Sequence, residues 1–187
     1  MKKITKFLAL ALVFVSTQSF AQNLKFGHVN LQEIVALMTE TDSANVKLEK
    51  FGKDLSETME GMQTEFQNKY QAYQQKYQTW TAAVLESKQK ELQDMETRLQ
   101  QFQQNAQGEY QQMQQQLFAP IFKKANEAID KIGKDNGYIY IFDTSVGNIL
   151  YINDSQSTDI TSLAKKALNI SPDKKLPAPN AQQAQAK

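Results

Sequence analysis

Apolar residues recur through the middle of the chain with the step of one helical face. Leu48, Phe51, Leu55, Met59, Met62, Phe66, Tyr70, Tyr73, Tyr77, Trp80 and Val84 make ten steps over 36 residues, a mean of 3.6. A second register runs through Leu92, Met95, Leu99, Phe102, Ala106, Tyr110, Met113, Leu117, Ile121, Ala125, Ala128 and Ile132. A helix with one apolar stripe has to hide it, and the nearest surface is the other stripe. The pattern predicts an antiparallel helical hairpin over 42–132, with its tip within 78–87, where the phase is lost. Each arm would measure about 50–60 Å at 1.5 Å per residue. Seven- and eleven-residue spacings mix in the first arm, so it should run nearly straight.

Three residues inside the hairpin are candidate hinges or kinks. Pro120 removes a helical hydrogen bond and crowds the turn before it. Folding the hairpin near residue 83 puts Pro120 level with the start of the first arm, where the arm would meet a body. The same folding brings Gly61 and Gly108 within about one turn of each other, two costly helix-interior glycines at one height.

The flanks change pattern. Lys25–Asn30 reads as a short strand, and Asn30 with Glu33 has the spacing of a capping box for a short helix carrying Leu31, Ile34, Val35 and Met38. Thr39–Ser43 should break that helix, with Thr41, Asp42 or Ser43 capping the long one. After a turn at Gly133, Tyr138–Phe142 is aromatic and β-branched enough for a strand. Asp143–Asn148 would turn it into a return strand at Ile149–Ile152, a β-hairpin. Thr158 or Asp159 can cap a last helix over Ile160–Leu168, and a Pro-, Ala- and Gln-rich stretch over 171–187 reads as a disordered tail. The fold class is therefore α+β: a long antiparallel α-helical hairpin, coiled-coil-like, projecting from a small β-rich body built by 22–41 and 133–170.

That body holds more apolar residues than it can bury alone. Phe26, Val29, Ile34, Tyr138, Tyr140, Phe142, Leu150 and Ile152, with Leu24, Ile160 and Leu163, exceed the capacity of three short strands in one subunit. An open sheet edge would also invite pairing. Self-association is the expectation.

Residues 1–21 read as a cleaved secretory signal: Lys2, Lys3 and Lys6, an apolar run from Phe7 to Val15, then Ser19-Phe20-Ala21. No other stretch is apolar for the roughly 20 residues that span a bilayer. The chain has no cysteine, so export brings no disulfide and no lipid-anchored N-terminal Cys. Removing the three signal lysines leaves 18 basic against 20 acidic residues, a net of −2. So weak a field gathers neither nucleic acid nor anionic lipid. One histidine, His28, and no cysteine supply no metal-ligand or nucleophile–base grouping, and Gly133, Gly137 and Gly147 lack phosphate-loop spacing. No catalytic residue, metal or cofactor is expected, and the chain does not read as an enzyme.

Taken together, these pieces resemble the Skp/OmpH family of periplasmic chaperones. The carriers are HVNLQEI, the polar two-helix arm, and the segment LFAPIFKKANEAIDKIGKDNGYIYIFDTSVGNILYIND followed by STDIT. The resemblance implies a periplasmic homotrimer in which each subunit gives short strands to a shared β-body. Three helical arms would project around a cavity that holds unfolded outer-membrane β-barrel proteins without ATP. One departure concerns charge. Family members are often strongly basic, whereas this arm carries 18 glutamines from Gln63 to Gln116, which removes electrostatic support for lipid or lipopolysaccharide contact. Within that picture Phe66, Tyr70, Tyr73, Tyr77 and Trp80 are the candidate client-binding residues, Tyr77 and Trp80 foremost because they lie near the tip. The competing reading is a structural one, a periplasmic coiled-coil spacer or adaptor with no client.

Overall fold

The computed structural model describes residues 24–176, so the expected signal segment 1–21 and the chain beyond 176 lie outside the described residues. Strand β1 (Phe26–Val29) leads into helix α1 (Leu31–Leu37), whose N-terminus is held by Asn30 Oδ1 accepting the Glu33 amide at 2.9 Å. A carboxylate oxygen reinforces it: Asp143 Oδ1 accepts the Leu31 amide at 3.2 Å. The break to the long helix falls earlier than the TETDS run. Met38, with extended backbone, is the cap residue of α2 (Thr39–Lys76), and no side chain caps that end. Thr41 is instead buried inside the first turn of α2, and its hydroxyl donates to the Val35 carbonyl at 2.5 Å. A buried hydroxyl needs such a partner, and that need removes Thr41 from capping.

The hairpin turns over a 3-10 turn at Tyr77–Thr79 and the extended Trp80, and α3 begins at Ala82. Val84 and Leu85 therefore belong to the second arm. The polar run after them is a solvated helical face, not the loop. Helix α3 continues without interruption to Asn136, through both Pro120 and Gly133, and ends at Gly137 in the left-handed region (φ 68°). Gly137, not Gly133, is thus the terminating glycine, because only its backbone adopts the conformation that side chains disfavour.

Strand β2 (Tyr140–Asp143) pairs with β1 in parallel, Phe26 opposite Tyr140 and Val29 opposite Asp143. The expected hairpin does not form. Ile149–Ile152 is not a strand; the third strand is β3 (Ser157–Asp159), parallel to β1 on its other side, giving the order β2-β1-β3. The 149–152 segment pairs with neither open edge of the sheet, β2 or β3, and Leu150 is 99% exposed. Helix α4 (Thr161–Ala167) follows. The chain then doubles back at Asn169 (φ 56°), buries Ile170, and reaches the root of α2 through Lys174 Nζ to Asp42 at 2.7 Å. Order therefore extends past Ser171, where the composition alone suggested a disordered tail.

One core lies between the inner sheet face and the helices. Val29, Ile34, Leu37, Met38, Ile121, Ala125, Ile132, Ile160 and Ala164 fill it, drawing the arm roots into the body. Gly27 is required there. A methyl group at its Cβ position would stand 3.2–3.3 Å from Tyr138, Ile141 and Ile160 side chains.

Outward from the roots the packing thins. Of the two arm stripes beyond Leu48, only Met95 is buried before α3 returns to the body at Ile121; the other stripe residues stay half-buried or exposed. Cross-arm contacts set the register: Gly52 against the Tyr110 ring, Lys69 with Glu91, Tyr73 with Gln89 and Glu40 with Lys124. Because the tip falls at 77–81, this register is shifted from a fold near residue 83. Gly108 consequently stands about level with Asp54. Gly61, seven residues further on, lies about 10 Å away along the arm at 1.5 Å per residue. The two are not one hinge. A Cβ at either position would meet nothing within 4 Å. Gly61→Ala and Gly108→Ala should each stabilise the protein by about 0.4–1 kcal/mol through reduced chain entropy, read as a rise in denaturant midpoint; a fall would show that the glycine conformation is required. Pro120, by contrast, lies beside the α2 root, sharing a crevice with Ser43, Ala44, Lys47 and Lys124.

Candidate functional site

Two surfaces gather the chemistry-bearing residues. The first is the distal arm. α2 places Phe66, Tyr70 and Tyr73 on one stripe, and the turn adds Tyr77 and Trp80. They form two stacked groups: Phe66 with Tyr70 at 6.1 Å between centroids, and Tyr73 with Tyr77 at 6.3 Å. Trp80 meets the edge of Tyr73 at 5.8 Å. Tyr70 and Tyr77 are exposed, whereas Phe66, Tyr73 and Trp80 are half-buried against the opposing helix. All five candidate residues therefore share one end of the arm, in two depths of burial. Tyr73 is anchored, its hydroxyl accepting from Gln89 Nε2 at 2.9 Å.

Beside them the arms are pinned by charge. Glu91 accepts from both Lys69 and Lys88, the latter at 2.7 Å, around a 230 Å³ crevice that also takes in Tyr73, Trp80 and Leu92. The Lys69 hydrogen bond, then that of Lys88, holds the Glu91 carboxyl down to about 2. A carboxyl depressed in the folded state stabilises above its ordinary value of 4.5, and that contribution is lost as pH falls toward 2. Hydrogen exchange of the amides around Lys69 and Glu91 should therefore accelerate between pH 4.5 and 2, after correction for intrinsic rates. Glu91→Gln should flatten that dependence. Sequence reading missed this cluster, because pairing residue 69 with 91 requires the exact position of the turn.

The second surface is the outer face of the sheet. Along β1, Gly27 and Val29 point into the core while Phe26 and His28 point out. Phe26 lies 6.4 Å from Tyr140 with rings nearly parallel, and 6.5 Å from Phe142. Tyr140 is 62% exposed, and Tyr151 is 80% exposed. Phe26 and Phe142 line a 330 Å³ apolar crevice with Ile149, Tyr151 and Ile152. The eight expected assembly residues thus divide in two. Val29 and Ile34 are spent inside the subunit and Tyr138 packs on the same core, whereas Phe26, Tyr140, Phe142, Leu150 and Ile152 remain outward. Period-two alternation signalled the division, but only the parallel pairing told which parity faces the helices.

At the polar margin of this face, His28 Nδ1 stands 2.9 Å from Ser157 Oγ, and Asp159 Oδ1 accepts the Thr161 amide at 2.8 Å. Burial works to raise the Asp159 carboxyl but is outweighed by hydrogen bonds from the Thr161 hydroxyl and amide, so it sits below its ordinary range. Among the described residues no three histidine, cysteine or carboxylate side chains converge as metal ligands. No described helix is long and apolar enough to cross a membrane.

A small parallel sheet backed by helices and carrying one long, thinly packed helical hairpin is a distinct class of architecture. The chain belongs to the OmpH-like family: the family model described as "Outer membrane protein (OmpH-like)" matches residues 25–168. Among solved structures it is similar to that of a candidate outer membrane chaperone (OmpH-like) from Caulobacter crescentus CB15. The TM-score is 0.66 at 18% identity, covering 78% of this chain and 84% of that one. No curated protein matches it significantly.

Proposed function

We propose that the protein is an ATP-independent periplasmic holdase, working as a trimer whose arms enclose unfolded outer-membrane β-barrel proteins until they insert. Membership of the OmpH-like family and likeness to a candidate outer membrane chaperone support a chaperone role. The observation that carries the holdase reading is the incomplete burial of the arm stripes. A rigid strut would bury them; here the distal aromatics keep exposed apolar area for a passing client, framed by neutral glutamines that neither repel nor trap it. Many weak contacts presented together give retention that is still reversible without nucleotide. The outward face of Phe26, Tyr140 and Phe142 supports the trimer, since an apolar patch of that kind marks an interaction site.

Aggregation of an outer-membrane β-barrel diluted from urea, followed by light scattering, tests the reading. The wild-type chain should keep it soluble, whereas a spacer or adaptor would not. Trp80→Ala should raise the concentration needed for half-suppression about tenfold, on the scale of a hot-spot aromatic, and leave the oligomer mass unchanged. Equal suppression by the variant would remove Trp80 from the client surface.

A further inference from the structure

Two weak points meet at the root of the arm. α2 starts after the extended Met38 with no side chain to cap it, and Pro120 leaves α3 one backbone hydrogen bond short beside Ser43 and Ala44. Sharp helix bends concentrate at such prolines, so this is the level at which the hairpin can swing against the body.

Residues 169–176 reach the same level, and they follow the segment 25–168 that the family model matches. Their path is set locally. Asn169 takes the left-handed conformation at the end of α4. The Asn169 and Ile170 amides donate back to the Lys166 and Lys165 carbonyls at 3.3 and 2.8 Å, which turns Ile170 into the core. Ser171-Pro172-Asp173-Lys174 then makes a turn, the Lys174 amide donating to the Ser171 carbonyl at 3.0 Å. Proline is favoured at the second position of such a turn. The turn delivers Lys174 between two elements. Its carbonyl accepts from Lys165 Nζ on α4 at 3.2 Å, and its own Nζ donates to Asp42 Oδ2 on α2 at 2.7 Å.

We propose that residues 169–176 are a releasable strap that ties the root of the first arm to the body and limits how far the arm swings. Its two ends differ in strength. Ile170 is buried and fixes the strap to the body, whereas Lys174 and Asp42 meet at the surface. An ion pair in water biases an equilibrium by only about two- to fivefold. The strap can therefore leave α2 and return while the core stays intact. Slower escape of a held client is the consequence, and that step alone rests on the holdase reading; the tie between α4 and α2 does not.

The chain has no cysteine, so Gln63→Cys on the arm and Ala167→Cys on α4, both exposed, can carry a pair of spin labels. Dilution with unlabelled chain keeps the measured distance within one subunit. Lys174→Ala should broaden the distance distribution and speed amide exchange in the first two turns of α2 by about two- to fivefold. A chain ending at Ile170 should do so at least as much, and Lys174→Arg should match wild type. Unchanged distances in both loosened chains, or equal loosening by Lys174→Arg and Lys174→Ala, overturns the strap. Release of an unfolded outer-membrane β-barrel should quicken by the same factor in the loosened chains. Broader distances with unchanged release would overturn the strap's part in retention. Broader distances in a protein whose wild type holds no client would support the strap and defeat the holdase reading instead.

Discussion

Ile34→Ala is expected to cost about 2–5 kcal/mol of folding stability, the range for a large aliphatic side chain deleted from a packed core. Ile34 has no exposed surface and stands where α1, the sheet and the roots of both arms meet, among Val29, Leu37, Ile121 and Ile160. Few other side chains could refill the space, because the body is small and the arms add almost no core of their own. Loss of a few kcal/mol is a large share of what a small domain possesses. Denaturant unfolding should show the midpoint collapsing. Val46→Ala, on the exposed side of α2, should shift stability by less than about 0.5 kcal/mol. A small effect at Ile34 would mean that the core is held by something other than this junction.

Phe142→Glu should act on assembly rather than on the fold. The ring lies on the outward face beside Phe26 and Tyr140, lines the crevice with Ile149 and Tyr151, and is 43% exposed in the single chain. A carboxylate there costs little while the face is wet. When a second copy covers it, an uncompensated buried charge costs about 3–5 kcal/mol, or roughly a hundred- to several-thousand-fold in association constant. The variant should sediment as single subunits, with the helical circular dichroism of the arms largely retained. A stable oligomer of unchanged mass would place the subunit contact elsewhere.

These two substitutions lie in residues that look alike in the sequence, and the difference between them marks what could be read there. Both are large apolar residues in the flanks of the arm, and both were expected to serve assembly. One is inside the subunit and the other outside because β1 pairs in parallel with β2 and with β3, which turns Gly27, Val29 and Ile141 toward the helices. A short aromatic strand followed by a turn suggests an antiparallel hairpin, since nothing local distinguishes that from a crossover to a parallel neighbour. The Ile149–Ile152 segment shows the consequence: strand-like in composition, it has no ladder partner in the subunit.

The helical arms were legible because their information is local. A stripe recurring every 3.6 residues needs only its own neighbours to declare a helix, and Asn30 with Glu33 declares a helix start within one turn. By itself the sequence determined two long helices, their antiparallel return, their aromatic distal end and a small mixed body. Tertiary structure alone decided the register, where five residues of turn displace Gly61 from Gly108 and bring Lys69 to Glu91. It also decided which side of the sheet is dry. Register and facing depend on contacts between residues far apart in the chain, whose free energy no local pattern records.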